Sequence, residues 1–134
     1  MATSSLWGDL PEVTEIKTPK LVLAEQAKAL QELTEGSLTC ELTITPTDSD
    51  GFMHVMRIVA PSLGNYSVVL VVITHQAKVY PCMIKSPFIG IAPRKCTDET
   101  QLELGLKVFL QHAKTRELIS NLLQQIRADK SIAA

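Results

Sequence analysis

The sequence predicts an α+β fold made of an N-terminal helix, a four-stranded antiparallel meander, and two C-terminal helices or one bent helix. The first observation is the segment 38–45, in which apolar residues alternate strictly with polar ones, as in a strand with one buried face. The second is a run of good helix formers from Lys20 to Glu35. The third is an apolar stripe at helical spacing from Leu102 onward.

The N-terminal helix is predicted to begin at Pro19, directly after Thr18. Threonine accepts hydrogen bonds from the free amides of a first helical turn, and proline at the first helical position loses nothing by lacking an amide proton. Gly36 is the predicted end of the helix, because glycine readily adopts the left-handed conformation that follows a helix.

Residues 1–18 are predicted to form a loose arm, since they show no sustained hydrophobic period and contain Gly8 and Pro11. Trp7 is the large aromatic side chain of this arm. A tryptophan left in water forgoes a substantial free energy of burial. We therefore predict that Trp7 anchors the arm to the domain, and contact with a partner protein is the alternative.

The remaining strands of the meander are predicted at about 52–60, 66–75 and 78–84, separated by turns rich in glycine, proline and small polar residues. The strand at 66–75 is dominated by β-branched residues, which pack well in sheets. Pro81 has no amide proton for a sheet hydrogen bond, so we place it at a sheet edge or a bulge.

The C-terminal part is predicted to be helical after a loop at 85–97. Asp98 and Gln101 form a capping-box pattern at the start of the helix. The apolar stripe continues past Lys114-Thr115, where a bend or break is expected. The predicted organisation is therefore an arm at 1–18, a single α+β domain at 19–128, and a frayed tail at 129–134.

Composition and charge restrict the classes of function. The chain has 134 residues, of which 46% are apolar and 20% charged, and its net charge is −1. Nucleic-acid grooves and polybasic membrane surfaces need clusters of lysine and arginine, which this sequence lacks. The first residues show no signal-peptide pattern, and the longest apolar run, 68–73, is far shorter than the ~18 residues of a membrane span. We expect a cytoplasmic protein without nucleic-acid or membrane partners.

The three cysteines do not form a disulfide pattern, because their number is odd and their spacings do not repeat. Cys40 and Cys82 lie in predicted strands and are interpreted as core residues. Cys96 follows Arg94 and Lys95 just before a predicted helix N-terminus, where positive charge and the helix dipole lower the pKa of a thiol. Cys96 is therefore the candidate reactive thiol, although no base is placed beside it.

Other motifs of catalysis or binding are absent from the sequence. It contains no closely spaced Cys or His pair of the kind that binds zinc, although His54 and His75 could approach each other across neighbouring strands. The glycines are too dispersed for a phosphate-binding loop, and anion capture near Gly90 would be nonspecific. We predict no catalytic residue, no metal and no cofactor.

The apolar pattern of the third strand predicts a surface that needs covering. Segment 39–45 offers water a polar face, whereas 68–73 is apolar on both faces. A sheet with helices on one side should leave its other side polar. A face carrying Val69, Val71 and Ile73, or else Val68, Leu70 and Val72, must therefore be covered by a C-terminal helix or by another chain. The first set is the candidate interface.

The order of helix, meander, proline-containing loop and C-terminal helices resembles that of the RWD and ubiquitin-conjugating-enzyme-like domains over about residues 19–127. Tyr80-Pro81, with Pro87 in the following loop, is similar to the Tyr-Pro…Pro signature of those domains, at a different spacing. The His-Pro-Asn stretch that precedes the conjugating cysteine is missing, so the resemblance implies a non-catalytic scaffold. Secretion-type chaperones and small immunity proteins share this element order, and a fold alone does not determine function.

The favoured interpretation is a non-enzymatic protein-interaction domain that self-associates as a homodimer. The alternative is a small enzyme or ligand binder that uses the loop 85–97, with Cys96, Arg94 and Lys95 at its mouth. A third interpretation is the binding of a small molecule between the sheet and the helices.

Overall fold

A computed structural model describes residues 5–48 and 50–133 of the chain. It contains three α-helices and five strands within these ranges, with a short 3-10 turn at Pro61–Leu63. In chain order the elements are α1 (Pro19–Leu33), β1 (Thr39–Pro46), β2 (Gly51–Ala60), β3 (Tyr66–Gln76), β4 (Cys82–Lys85), β5 (Arg94–Cys96), α2 (Glu99–Leu110) and α3 (Ala113–Ala133). The predicted α+β class, N-terminal helix, antiparallel sheet and two C-terminal helices are confirmed.

The sheet has five strands in the order β1-β2-β3-β4-β5, and each strand is antiparallel to its neighbours. The prediction of four strands is therefore wrong. The fifth strand lies inside the segment predicted as a loop, and it is only three residues long. So short a strand shows no period of its own, and its pairing with β4 depends on a contact that the local sequence does not indicate.

The predicted helix starts are confirmed by their hydrogen bonds. The Thr18 hydroxyl accepts from the amide of Leu21 at 3.3 Å, and Pro19 is the first residue of α1. The Asp98 carboxylate accepts from the amide of Gln101 at 2.8 Å and caps α2. The Gln101 side chain returns the interaction by accepting from the Thr97 amide at 2.8 Å, which completes a capping box displaced by one residue.

The two C-terminal helices are separate, and the break lies earlier than predicted. Helix α2 ends at Leu110 and α3 begins at Ala113, before the expected bend at 114–115. The buried hydroxyl of Thr115 donates to the carbonyl oxygen of Phe109 at 2.8 Å and closes the corner. Helix α3 then continues to Ala133, through most of the tail that was predicted to fray; residue 134 lies outside the described ranges.

One face of the sheet, called here the inner face, packs against all three helices. The shared core contains Met56, Ile58, Val71, Ile73, Cys82 and Ile84 from the sheet. It contains Val22, Leu23, Leu102, Leu106, Phe109, Leu122 and Ile126 from the helices. The protein is therefore built of two layers in the described ranges, with the helices on one side only.

The predicted alternation along β3 is interrupted by a β-bulge. Met56 of β2 lies opposite Val71 of β3. The next residue, Arg57, lies opposite Val69, so Leu70 is an extra residue in β3. Leu70 and Val71 are consecutive, yet both belong to the core beneath the helices. Because of this extra residue, Val69 lies on the opposite face of the sheet from Val71 and Ile73, although the sequence predicted all three on one face.

The N-terminal arm does not pack through Trp7. The prediction that Trp7 anchors the arm is wrong, because its side chain is 85% exposed. The arm is instead fixed at its C-terminal end. There the Lys17 ammonium lies 2.7 Å from a carboxylate oxygen of Glu25 and 3.0 Å from one of Glu103, while the Tyr80 hydroxyl donates to the Lys17 carbonyl oxygen at 2.6 Å.

None of the helices in the described ranges combines the length and the apolar character that crossing a bilayer would require.

Candidate functional site: the outer face of the sheet

The side of the sheet opposite the helices, called here the outer face, carries an apolar patch. Side chains on this face come from every second residue of each strand, and cross-strand partners lie side by side. Its apolar members are Met53, Val55, Val59, Val69, Val72 and Met83. Val55 and Val72 lie directly opposite each other and are 8% and 5% exposed, yet neither belongs to the core beneath the helices.

Charged residues on the outer face are mainly basic. Arg57 lies opposite Glu41 on the edge strand β1. Lys85 lies opposite Val72, and Lys95 lies opposite Met83. The outer face therefore presents three cationic side chains and one anionic side chain around its valines.

The structure divides the predicted interface set. Val71 and Ile73 are 0% exposed and pack in the core of the same chain, so they are not available to a partner. Their assignment as interface residues is corrected, because the helices cover the face on which they lie. Val69 is on the outer face and remains half-buried. The reason for the division is the bulge at Leu70.

The candidate reactive thiol faces the core. Cys96 is 1% exposed on β5, directly opposite the equally buried Cys82 on β4. Burial raises the pKa of the Cys96 thiol, and its interaction with Cys82 and the charge of Arg94 lower it only in part. Burial also raises the pKa of Cys82 to about 12. The direction is opposite to the predicted one, since a strand holds Cys96 inside and the helix starts beyond it.

The residues of the former loop do not converge on one site. Cys96 and Arg94 occupy inner-face positions of β5, whereas Lys95 occupies an outer-face position. Arg94 lies against α2, where its Nε atom would be 3.6 Å from a Cβ atom built on Gly105. A thiol and two cations that diverge in this way do not form the mouth of a common pocket.

His54 and His75 do approach each other, as the sequence suggested. Their Nε2 atoms are 2.8 Å apart, and the Nδ1 atom of His75 is 2.6 Å from the carbonyl oxygen of Gln76. His75 therefore donates through Nδ1 to the carbonyl oxygen of Gln76, and the two Nε2 atoms share one proton between them. Burial, together with the charge of His75 and of Lys20, lowers the pKa of His54.

The histidine pair does not extend to a metal site. Across residues 5–48 and 50–133, no group of three or more His, Cys, Asp or Glu side chains is placed to hold a metal ion. Two imidazoles joined by a hydrogen bond already satisfy each other, and the pair is best understood as a buried polar contact between β2 and β3.

A cavity of about 210 Å³ lies between α1, the inner face and the C-terminal helices. It is lined mainly by apolar side chains, among them Ala29, Cys40, Met56 and Ile119. Burial raises the pKa of Cys40 to about 11. The cavity has the position expected for a small-molecule site between sheet and helices, and its chemistry suits apolar groups.

No family model, no curated protein and no solved structure matches this chain.

Proposed function

We propose that the protein is a non-enzymatic interaction module that self-associates through the outer face. The observation that carries the proposal is the one-sided placement of the helices: in the described ranges they cover the inner face, while four apolar residues of the outer face, Met53, Val59, Val69 and Met83, keep part of their surface exposed. Contiguous apolar surface rimmed by polar groups is typical of an interface.

The burial and the pKa shifts of the thiols and of His54 favour an interaction module over an enzyme. A nucleophilic thiol needs a lowered pKa and access to solvent. Cys82 and Cys96 have neither, and His54 is buried in an environment that lowers its pKa. The outer face, by contrast, offers the half-buried Val59 and Val69 and the exposed Met83, together with charged groups.

The proposal is tested by the mass of the protein in solution as a function of concentration. We expect sedimentation velocity to show a monomer–dimer equilibrium. Val59→Glu should shift it to monomer, because a buried, unpaired carboxylate is unfavourable in an apolar contact. Val59 lies on the outer face opposite Thr39 and Ser67, so the new charge has no oppositely charged neighbour across the strands.

The matched control is Val108→Glu, which places the same charge at an exposed valine of α2, on the other side of the protein. This variant should associate like the wild type. A wild-type protein that remains monomeric at high concentration, or a Val108→Glu variant that dissociates as fully as Val59→Glu, would contradict the proposal. Circular dichroism on each variant separates dissociation from unfolding.

A further inference from the structure

The arm carries a second apolar surface that its own chain leaves uncovered. Residues 5–16 have no helix or strand, and their large apolar side chains point into solvent. Leu6, Trp7, Leu10 and Val13 are each at least 79% exposed. Exposure of single apolar residues is ordinary, but four within eight positions make a segment that gains free energy wherever it finds an apolar surface.

The charges of the arm complement those of the outer face. Asp9, Glu12 and Glu15 alternate with the apolar residues of the arm, and residues 5–16 contain no lysine or arginine. The outer face carries Arg57, Lys85 and Lys95 against the single Glu41. An acidic, apolar strip and a basic, apolar surface are the pairing that steers and orients a contact.

The apolar area of the outer face is too small to form a stable dimer interface by itself. The apolar residues of this face lie on three neighbouring strands, β2 to β4, and extend over seven residues from Met53 to Val59. Since strands lie about 4.8 Å apart and rise about 3.3 Å per residue, this patch covers roughly 300 Å². A stable interface of standard size buries about 800 Å² on each partner. Contact between two bare faces would fall short of this area, and an ordered arm supplies the difference.

The point at which the arm leaves the domain favours a second copy as the partner. Lys17 is held by Glu25 of α1 and Glu103 of α2, so the arm starts on the helix-covered side of its own sheet. In the described structure the large apolar side chains of the arm stay exposed and are not packed on its own sheet. Twelve residues span up to about 40 Å when extended, which is enough to reach the sheet of a neighbouring copy.

We infer that the arm of one copy, residues 5–16, lies across the outer face of a second copy, and that the two copies exchange arms around a twofold axis. The inference rests on the proposed self-association and names the segment that completes its interface. A reciprocal exchange uses the same two surfaces on each copy, so it closes as a dimer and leaves neither the arm nor the sheet uncovered.

Trp7 is the only tryptophan of the chain, so its fluorescence reports on the arm alone. With the full-length protein, we expect the Trp7 emission to move to shorter wavelength as the protein concentration rises, in step with the sedimentation-defined dimer. A shift that is already complete at concentrations where sedimentation shows only monomer would mean that the arm folds onto its own chain, and would overturn the inference. An emission that stays typical of exposed tryptophan in the dimer would overturn it as well.

The full-length variant Leu10→Ser/Val13→Ser retains Trp7 and tests the contribution of the arm to affinity. We expect dimer dissociation constants to rise roughly tenfold or more, since two apolar side chains per copy lose their burial. The matched control is Leu33→Ser/Ile132→Ser, which changes exposed apolar residues of α1 and α3 and should leave the constant unchanged.

The two proposals fail in different ways. A dimer that dissociates in Val59→Glu but is unaffected by Leu10→Ser/Val13→Ser would overturn the arm exchange and leave the outer face as the interface. A wild-type monomer at every concentration would overturn both.

Discussion

At the scale of single residues, burial determines the chemistry of the three cysteines. Cys82 and Cys96 form a cross-strand pair beneath α2, and Cys40 lines the cavity under α1. Burial disfavours a charged thiolate, so all three thiols have a raised pKa in the folded protein. The sequence showed the cations beside Cys96 but not the strand that turns its side chain inward.

These shifts predict a loss of stability in alkali. The thiols of the unfolded chain titrate near pH 9, whereas those of Cys40 and Cys82 titrate at about 11 and about 12 in the folded protein. Above pH 9 the unfolded chain releases protons that the folded protein still holds, so the free energy of unfolding decreases as the pH rises towards 12. Below pH 9 the thiols contribute no pH dependence.

Urea unfolding at a series of pH values measures this effect. Cys82→Val keeps an apolar side chain and removes the titration, so its midpoint should fall less steeply between pH 9 and pH 11 than that of the wild type. Tyr80, whose pKa burial raises to about 12, titrates in the same direction, and Tyr80→Phe separates its share. Equal slopes for Cys82→Val and the wild type would contradict the assignment.

At the scale of the elements, the sequence predicted what local chemistry determines. Thr18-Pro19 and the Asp98 cap fixed the helix starts, and strict alternation located β1. It did not predict β5 or the bulge at Leu70, because both depend on pairing with a neighbouring strand. The bulge matters most for the candidate site, since one extra residue moved Val71 and Ile73 from the expected interface into the core.

The packing of α1 against the sheet leads to a prediction about the cavity. The cavity of about 210 Å³ between α1 and the sheet is partly open to solvent, and its apolar lining gains free energy when the space is filled by an apolar side chain. Ala29 lines it, and Ala29→Leu would place three more carbon atoms there. At about 0.8 kcal/mol for each buried methylene, a well-fitting leucine should stabilise the protein by roughly 1–2 kcal/mol.

Denaturant unfolding checks this value, with Ala24→Leu at an exposed position of the same helix as the control. The control should change the free energy of unfolding by less than about 0.5 kcal/mol, as surface substitutions do. A destabilised Ala29→Leu would mean that the cavity is narrower than its volume suggests, or that it is closed by movement of α1.

At the scale of the whole molecule, two uncovered surfaces of opposite charge occur in one chain. The sequence showed one feature of each surface: the single tryptophan of the arm and the valine-rich strand of the sheet. It could not show that the helices would cover only one face, or that Trp7 would stay in solvent. Those facts come from the three-dimensional arrangement, and together they make self-association the economical interpretation. The resemblance to RWD-type scaffolds remains a prediction.

The charge complementarity predicts that salt weakens the dimer. Raising the NaCl concentration from 0.1 M to 1 M shortens the Debye length from about 10 Å to about 3 Å, which screens the attraction between the acidic arm and the basic outer face. Apolar contacts are not weakened by this change. The dissociation constant of the dimer, measured by sedimentation, should therefore rise with salt concentration and level off at the value that the apolar contacts alone provide.

The variant Asp9→Asn/Glu12→Gln/Glu15→Gln should dissociate more easily than the wild type at 0.1 M salt and match it at 1 M, because its arm has no charge left to screen. Neutralising three acids elsewhere, in Glu32→Gln/Glu117→Gln/Asp129→Asn, changes the net charge equally but leaves the arm intact, so this control should keep the salt dependence of the wild type. If both triple variants lost the salt dependence to the same extent, the net charge of the protein and not the charge of the arm would govern association. An arm lying on the basic outer face would then no longer account for the dimer.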